Sequence, residues 1–353
     1  MTYETAKAAA EFLIKNAEET NVTPSINFFG GEPMLMWDSI IVPLTTWIRN
    51  EYKKPFSLGI TTNGTLLTEE RIEFLKKNGI NLLFSIDGGK ETQDYNRPYS
   101  NGEGSFDSLK SIIPSIVENF KNVTFRMTVI PHTCHNLFND IKFAADSGFK
   151  NFFAIPNVFE EWNDEAKTTA KNEIRKYGDY YIDCMRNGNN PIYFSTFEMA
   201  FTDIKMINNA ILTKQFRNTP KSKSNGKCGL GSGVFASIHP NGNLYGCQEM
   251  TSNEGEESIF YIGNIFTGVD DKRRYALMEL YDTETITGEK CNECKYNRIC
   301  DGGCVANNYL VTGNLAHLPE VFCWWRRLIL DEAIRVMQIL GAENNEMFKK
   351  RWG

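Results

Sequence analysis

Seven of the chain's nine cysteines crowd toward its C-terminus: Cys228, Cys247, Cys291, Cys294, Cys300, Cys304 and Cys323. Four of them form a dense core, Cys291-x2-Cys294-x5-Cys300-x3-Cys304. Thiolates are soft donors, and a grouping this tight points to a bound metal or an iron-sulfur cluster rather than to a disulfide framework. Seven thiolates exceed the four that one tetrahedral site takes, so the spacing reads as two sites with interleaved ligands. Structural zinc is the plain alternative for the same residues. Cys134 and Cys184 fall outside any ligand spacing and read as ordinary semi-buried thiols.

A second set of residues offers backbone and fork-shaped contacts. Gly30-Gly31-Glu32-Pro33 follows the apolar run Ile26-Asn27-Phe28-Phe29. Two glycines after a strand let the backbone approach a ligand closely, and Pro33 fixes the turn while removing a donor. Taken alone the motif is weak. Thr62-Asn63-Gly64, Ser85-Ile86-Asp87-Gly88 and Asn96-Arg97-Pro98 follow it in order. Ser85 brings a hydroxyl and Arg97 a guanidinium able to hold a carboxylate in a fork, against the plain readings of a strand-end hydroxyl and a surface ion pair. Arg126, in Phe125-Arg126-Met127-Thr128, reads equally as lining a barrel interior or as half of an ion pair. His132 and His135 read as loop or helix-cap residues, His239 as an exposed turn residue, and Trp324-Trp325 as packing that shields the thiolates from water.

These residues need a scaffold, and the hydrophobic pattern supplies one. Strand-like runs span Ser25 to Phe29, Ser57 to Thr62, Asn81 to Ile86, Thr124 to Ile130 and Asn151 to Ile155. Helical periodicity marks Thr5 to Glu18, Trp37 to Tyr52, Thr68 to Asn78, Phe106 to Phe120 and Leu137 to Ser147. Thr68 and Asn136 serve as N-caps, with Gly79 and Gly148 as stops. The alternation predicts right-handed βαβ units and a parallel sheet, in which ligands bind at the carboxyl ends of strands. The glycine motif and its followers all fall at such ends. Helices from Glu165 to Asn187 and on through Gln215 lead to a linker, Asn218 to Gly233. Beyond it come a hairpin, Val234 to Ile238 and Asn243 to Cys247 around His239-Pro240-Asn241-Gly242, and a closing helix from Trp324 to Leu340. Two domains are therefore expected, residues 1–217 and 218–353.

Composition narrows the function classes. The formal charge of −6 and the dispersed Lys and Arg argue against a nucleic-acid or membrane-surface role. The start, Met1-Thr2-Tyr3-Glu4, lacks a basic region followed by an apolar one, and no run reaches the ~18 apolar residues of a membrane span. A cytoplasmic protein is expected.

The spacing Cys228-x13-Gly242-x4-Cys247, then Cys-x2-Cys-x5-Cys-x3-Cys and a distant Cys323, resembles the SPASM domain of radical S-adenosylmethionine (radical SAM) enzymes. The resemblance implies one auxiliary 4Fe-4S cluster on Cys291, Cys294, Cys300 and Cys323, and a second on Cys228, Cys247 and Cys304. The second set is one ligand short, leaving an iron open to solvent, another ligand or a substrate thiolate. Gly30-Gly31-Glu32-Pro33 likewise resembles the motif whose backbone receives the amino group of SAM. The resemblance further places Asn63 in the SAM site, Ser85 and Arg97 on the SAM carboxylate, and Val158, in Ile155-Pro156-Asn157-Val158, on the adenine.

Radical SAM chemistry also needs a Cys-x3-Cys-x2-Cys loop after the first barrel strand. Its three thiolates leave one iron free for SAM, and an electron from that cluster cleaves SAM to a 5′-deoxyadenosyl radical. None of the 29 residues before Gly30 is a cysteine. The resemblance thus implies a partial (βα) radical SAM barrel that starts after its first strand, with an exposed edge at Ser25 to Phe29, joined to a small cysteine-rich SPASM domain. Its implied activity is that of a maturase modifying a ribosomal peptide, thioether formation included, served by a flavodoxin- or ferredoxin-type reductant. The residues as they stand are expected not to cleave SAM. Three other readings remain: a non-catalytic iron-sulfur protein that binds peptide or passes electrons, a zinc-stabilised interaction protein, and an enzyme of the anaerobic sulfatase-maturing type. In the last, Gln248 stands where those enzymes have an aspartate base, with Glu249 the substitute on offer.

Overall fold

The computed structural model describes residues 1–212, 235–252, 254–280, 291, 293–297, 299–300 and 302–352. The predicted linker and Cys228 lie outside the described residues.

Five strands, β1 (Ser25–Phe28), β2 (Ser57–Thr62), β3 (Ile80–Ser85), β4 (Thr124–Val129) and β5 (Asn151–Pro156), form one sheet in the order β1-β2-β3-β4-β5. Every pairing is parallel. Sequential order with right-handed crossovers puts the connecting helices on one face. Side chains alternate accordingly: Leu58, Ile60, Leu82, Phe84, Phe125, Met127, Phe152 and Ala154 are buried in the main core beneath the helices. Their neighbours in sequence point to the opposite, open face, where most remain partly exposed.

The helices on that face begin and end where local chemistry dictates. Helix α1 (Tyr3–Thr20) starts at Thr2, whose hydroxyl accepts Thr5 N–H at 3.2 Å, and ends at Asn21 in the left-handed region. The expected single helix over residues 37–52 is a π-turn, Trp37–Ile41, running into α2 (Val42–Glu51). Pro43 lacks the N–H that a continuous α-helix would use there. Helix α3 (Glu69–Lys77) is capped by Thr68 as predicted and stops at Gly79, φ +61°. A short helix, α4 (Lys90–Asn96), was not foreseen, and α5 (Phe106–Asn119) follows. Helix α6 (Leu137–Asp146) is entered through a 3-10 turn, Cys134–Asn136, and Asn136 makes no side-chain cap.

Helices α7 (Asp164–Arg186) and α8 (Ser195–Leu212) pack with the long helix Glu320–Ala342. Arg326 pairs with Asp203 and Arg335 with Asp179 across these contacts, and Arg335 also pairs with Glu332 on its own helix. A final helix, Glu346–Trp352, beyond the predicted end, rests its indole N–H on Tyr181 Oη at 3.0 Å.

The expected hairpin is present but shorter, as β6 (Ser237–Ile238) and β7 (Asn243–Tyr245), and Val234 lies outside the described residues. Two strands not foreseen, β8 (Tyr261–Asn264) and β9 (Gly268–Val269), extend it to an antiparallel sheet β6-β7-β8-β9. Its core of Leu244, Tyr245, Phe260 and Ile262 also buries Ala9 of α1. The fold is thus mixed α/β: an open, barrel-like parallel sheet and a smaller cysteine-bearing region seated against its first and last helices.

Candidate functional site

The carboxyl ends of β1 and β2 are held together by one carboxylate. Glu32 Oε1 accepts Met34 N–H at 3.0 Å and the Thr62 hydroxyl at 2.7 Å, and Oε2 accepts Asn63 N–H at 2.8 Å. The Thr62 hydroxyl in turn accepts Gly64 N–H at 3.0 Å, and Asn63 Oδ1 accepts from the backbone and hydroxyl of Thr65. Glu32 therefore fixes the turn from below. It leaves Gly30 and Gly31 at φ +98° and +51°, with nothing within 4 Å of where a Cβ would stand. That is an open backbone cradle which a side chain would both strain and fill.

At the end of β3 the buried Asp87 organises the next corner. Its carboxylate takes Arg97 Nε at 2.9 Å and Nη2 at 3.1 Å, Thr128 N–H at 2.8 Å and Asn96 Nδ2 at 3.2 Å. Arg97, 29% exposed at its side chain, thus presents mainly its remaining terminal nitrogen to a ligand. Ser85, the last residue of β3, is buried and lies in register with Arg126. Asp140 reaches in from α6, accepting Gly89 N–H at 2.8 Å and the Thr92 hydroxyl at 2.7 Å. Burial pushes its carboxyl up to about 7, against the lowering by those two hydrogen bonds; Asp87 and Glu91 add repulsion. A cavity of about 10 Å³ between Asp87 and Asp140 has room for roughly one water.

Val158 is buried in the turn after β5, where Asn157 Oδ1 accepts Phe159 N–H and the Asn157 carbonyl accepts the Trp162 indole N–H at 2.9 Å. The Trp162 ring lies 5.2 Å from that of Trp324. This contact joins the end of β5 to the helix that carries Cys323.

Four of the predicted thiolate ligands share one neighbourhood. Burial raises the Cys323 thiol to about 11, and the nearby thiols of Cys300, Cys291 and Cys294 push it the same way. The loop bearing three of them is pinned to the Cys323 helix by Lys295 and Tyr296, both bonded to Asp331 Oδ1, at 2.6 and 2.5 Å. A four-thiol set on a pinned loop and one helix suits a tetrahedral or cluster site. Among the described residues no three His, Cys, Asp or Glu side chains converge tightly enough to hold a metal ion in this conformation. Of the second predicted set, Cys304 is exposed at the start of helix Val305–Thr312, Cys247 precedes the turn Gln248–Met250, and Cys228 lies outside the described residues.

The residues set aside from chemistry behave as core or surface. Cys134 is buried, its thiol donating to Pro131 and Ala166 carbonyls, and burial raises it to about 11. His132 stacks on Tyr95 with centroids 3.8 Å apart, His135 bonds Glu91 at 3.1 Å, and His239 bonds Asn241 within its turn. Glu249 is paired loosely with Gln248 at the surface. The clamp by Glu32, the ion pair of Asp87 and the buried Asp140 carry no sequence signal of their own, because each depends on which backbone N–H groups the fold brings near.

Residues 3–168 match the radical SAM superfamily. The sequence is 24% identical over 343 residues to the radical SAM cyclopropyl synthase TigE of Paramaledivibacter caminithermalis, covering 95% of this chain and 65% of that protein. It is 26% identical over 308 residues to a cysteine-type anaerobic sulfatase-maturating enzyme of Clostridium novyi, covering 84% and 77%. The chain thus spans just under two thirds of the first of these relatives. Among solved structures it is similar to anSMEcpe with bound AdoMet and the Cp18Cys peptide, with a TM-score of 0.71, 19% identity, and 97% and 91% of the two chains covered. The chain therefore has the fold of radical SAM/SPASM-type peptide maturases. Among the described residues no helix is long and apolar enough to cross a membrane.

Proposed function

We propose that this chain supplies the SAM-binding, peptide-binding and auxiliary-cluster parts of a radical SAM peptide maturase. The observation that carries the reading is the open Gly30–Gly31 cradle, clamped from below by Glu32 at the strand ends that also present Asn63 and Ser85. The cradle offers backbone groups to the SAM amino group, Ser85 and the outer nitrogen of Arg97 face its carboxylate, and Val158 closes the adenine end. Cys291, Cys294, Cys300 and Cys323 would hold one 4Fe-4S cluster, and Cys228, Cys247 and Cys304 the other. Such clusters accept or donate single electrons when bound. Relatives that form a cyclopropyl group or mature sulfatases, and a similar structure holding a cysteine peptide, support a peptide substrate.

No cysteine precedes Cys134 in this sequence, so thiolates for a SAM-cleaving cluster are not among these residues. A preparation of these residues alone is expected to bind SAM and leave it intact. Anaerobic reconstitution followed by iron, sulfide and zinc analysis tests the reading, together with SAM binding and a 5′-deoxyadenosine assay. About eight irons with bound, uncleaved SAM supports it. Zinc in place of iron overturns the cluster assignment, and absence of SAM binding overturns the cradle.

A further inference from the structure

The run Cys300-Asp301-Gly302-Gly303-Cys304 carries one predicted ligand of each thiolate set. Two of its glycines stand in the left-handed region, Gly302 at φ +78° and Gly303 at φ +72°, so the loop turns where a side chain would strain it. Gly303 also lies against the ring of Phe322, the residue before Cys323: a Cβ on it would stand 3.1 Å from that ring. The loop is thereby pressed onto the helix that bears Cys323.

One side chain fastens it from behind. Asn308 lies one turn into the helix Val305–Thr312, which starts directly after Cys304, and helical side chains lean toward the N-terminus. Its Nδ2 donates to the Gly302 carbonyl at 3.0 Å and to the Leu315 carbonyl at 3.1 Å. Leu315 stands in the turn that leads into the Cys323 helix. Asn308 therefore joins the ligand loop, its own helix and the approach to the Cys323 helix, and it does so fully buried.

Two carbonyl acceptors fix which way round the amide stands, and among the described residues its Oδ1 is left buried without a donor. A leucine of similar volume would avoid the cost of that unmet acceptor. Packing alone does not account for an asparagine here, whereas its two N–H bonds to the loop and the turn do.

We propose that Asn308 is the positioning residue of the Cys300–Cys304 loop, aiming Cys300 and Cys304 toward their two metal sites. The inference rests on the metal-binding reading above. Asp331 holds the Lys295–Tyr296 end of the ligand segment, and Asn308 holds the other end.

Cobalt(II) titration of the metal-free, reduced chain tests this, read by the thiolate-to-cobalt absorption band. Asn308→Leu fills the space without the bonds, and Asn308→Ala removes both. Groups that orient metal ligands from behind are worth roughly tenfold to a hundredfold in metal affinity, so both variants are expected to bind cobalt that much more weakly. The loss should appear in a Cys323→Ala background, which isolates the set of Cys304, and in a Cys247→Ala background, which isolates that of Cys300. Titrations are run at a temperature where circular dichroism shows each variant folded.

Full affinity in Asn308→Leu with a loss in Asn308→Ala would mean that Asn308 only fills space, and overturns the proposal. A lowered melting temperature with unchanged cobalt affinity overturns it too, as does a loss confined to one background. Should Asn308→Leu fold poorly, Asn308→Ser replaces it. Its single donor predicts a severalfold loss, and unchanged affinity there sinks the assignment. A wild type that takes cobalt but no iron on reconstitution removes the cluster reading and leaves the role of Asn308 to stand on the cobalt data. A wild type with about eight irons, and Asn308 variants that match it for cobalt, keeps the cluster reading and removes the positioning role. A wild type that takes neither metal removes both.

Discussion

The Asp87 carboxylate grips Arg97 from two sides, at 2.9 and 3.1 Å, while accepting the Thr128 N–H at 2.8 Å. One buried side chain thereby ties the end of β3 to the end of β4 and to the residue that terminates α4. Arg97 is part of the frame of the site as much as of its lining.

Replacing Asp87 by Asn keeps an acceptor for Thr128 but leaves the guanidinium without its counter-charge. Removing one partner of a fully buried pair costs about 3–5 kcal/mol, and the partial exposure of Arg97 lowers that figure. Urea denaturation of Asp87→Asn is expected to show a loss of about 2–3 kcal/mol. A loss below about 0.5 kcal/mol would mean that water satisfies Arg97 just as well.

Glu32 makes the matching prediction for the cradle. Its two oxygens receive three donors from two strand ends, so Glu32→Ala removes three bonds at once and frees the Gly30–Gly31 turn. Glu32→Gln keeps one acceptor and turns a donor toward another. Stability is expected to fall by about 1–3 kcal/mol in the alanine variant and by less in the glutamine variant. SAM affinity should fall in the same order, read by equilibrium dialysis. Equal SAM binding in all three proteins would show that the turn holds its shape without the clamp.

Much of this arrangement is legible in the sequence because strands buried on one face announce themselves. The run Ser57–Thr62 is recovered residue for residue, and the other four strands agree to within a residue or so at each end. Positions of the glycine motif and its followers at strand ends come with them. What escapes is short or relational. Helix α4 has no apolar periodicity to betray it, and β8 and β9 are four and two residues long. That Arg97 is paired with Asp87 depends on what the adjoining strands and helices present, which residue spacing does not encode.

Two buried carboxyl groups set the pH dependence. Asp140 and Glu198 are each pushed up to about 7, in both cases chiefly by burial, with Arg351 opposing the rise at Glu198. In an unfolded chain such groups titrate near pH 4, so between about pH 4 and 7 the folded protein holds more protons. Their contribution to stability is therefore full below about pH 4 and is lost as pH rises through 7. Melting curves of the metal-free protein are expected to show a smaller fall from pH 5 to 8 in Asp140→Asn than in the wild type, since the amide still accepts Gly89 N–H. Identical slopes would mean that Asp140 is ionised across the whole range.

Cys323 is the thiol on which the C-terminal cluster assignment turns, because it alone of its set stands on a helix packed into the main body of the fold. Its neighbours Cys291, Cys294 and Cys300 come from a loop pinned to that helix through Asp331. Cys323→Ala is expected to lower iron from about eight to about four per chain on reconstitution, as one cluster loses a ligand. The outlying buried thiol makes the control: Cys134→Ala should leave iron unchanged and cost about 1–2 kcal/mol of stability through the small cavity it opens. Iron that persists at about eight in Cys323→Ala would mean that another residue completes the cluster. Iron lost completely would mean that the two clusters assemble as one unit.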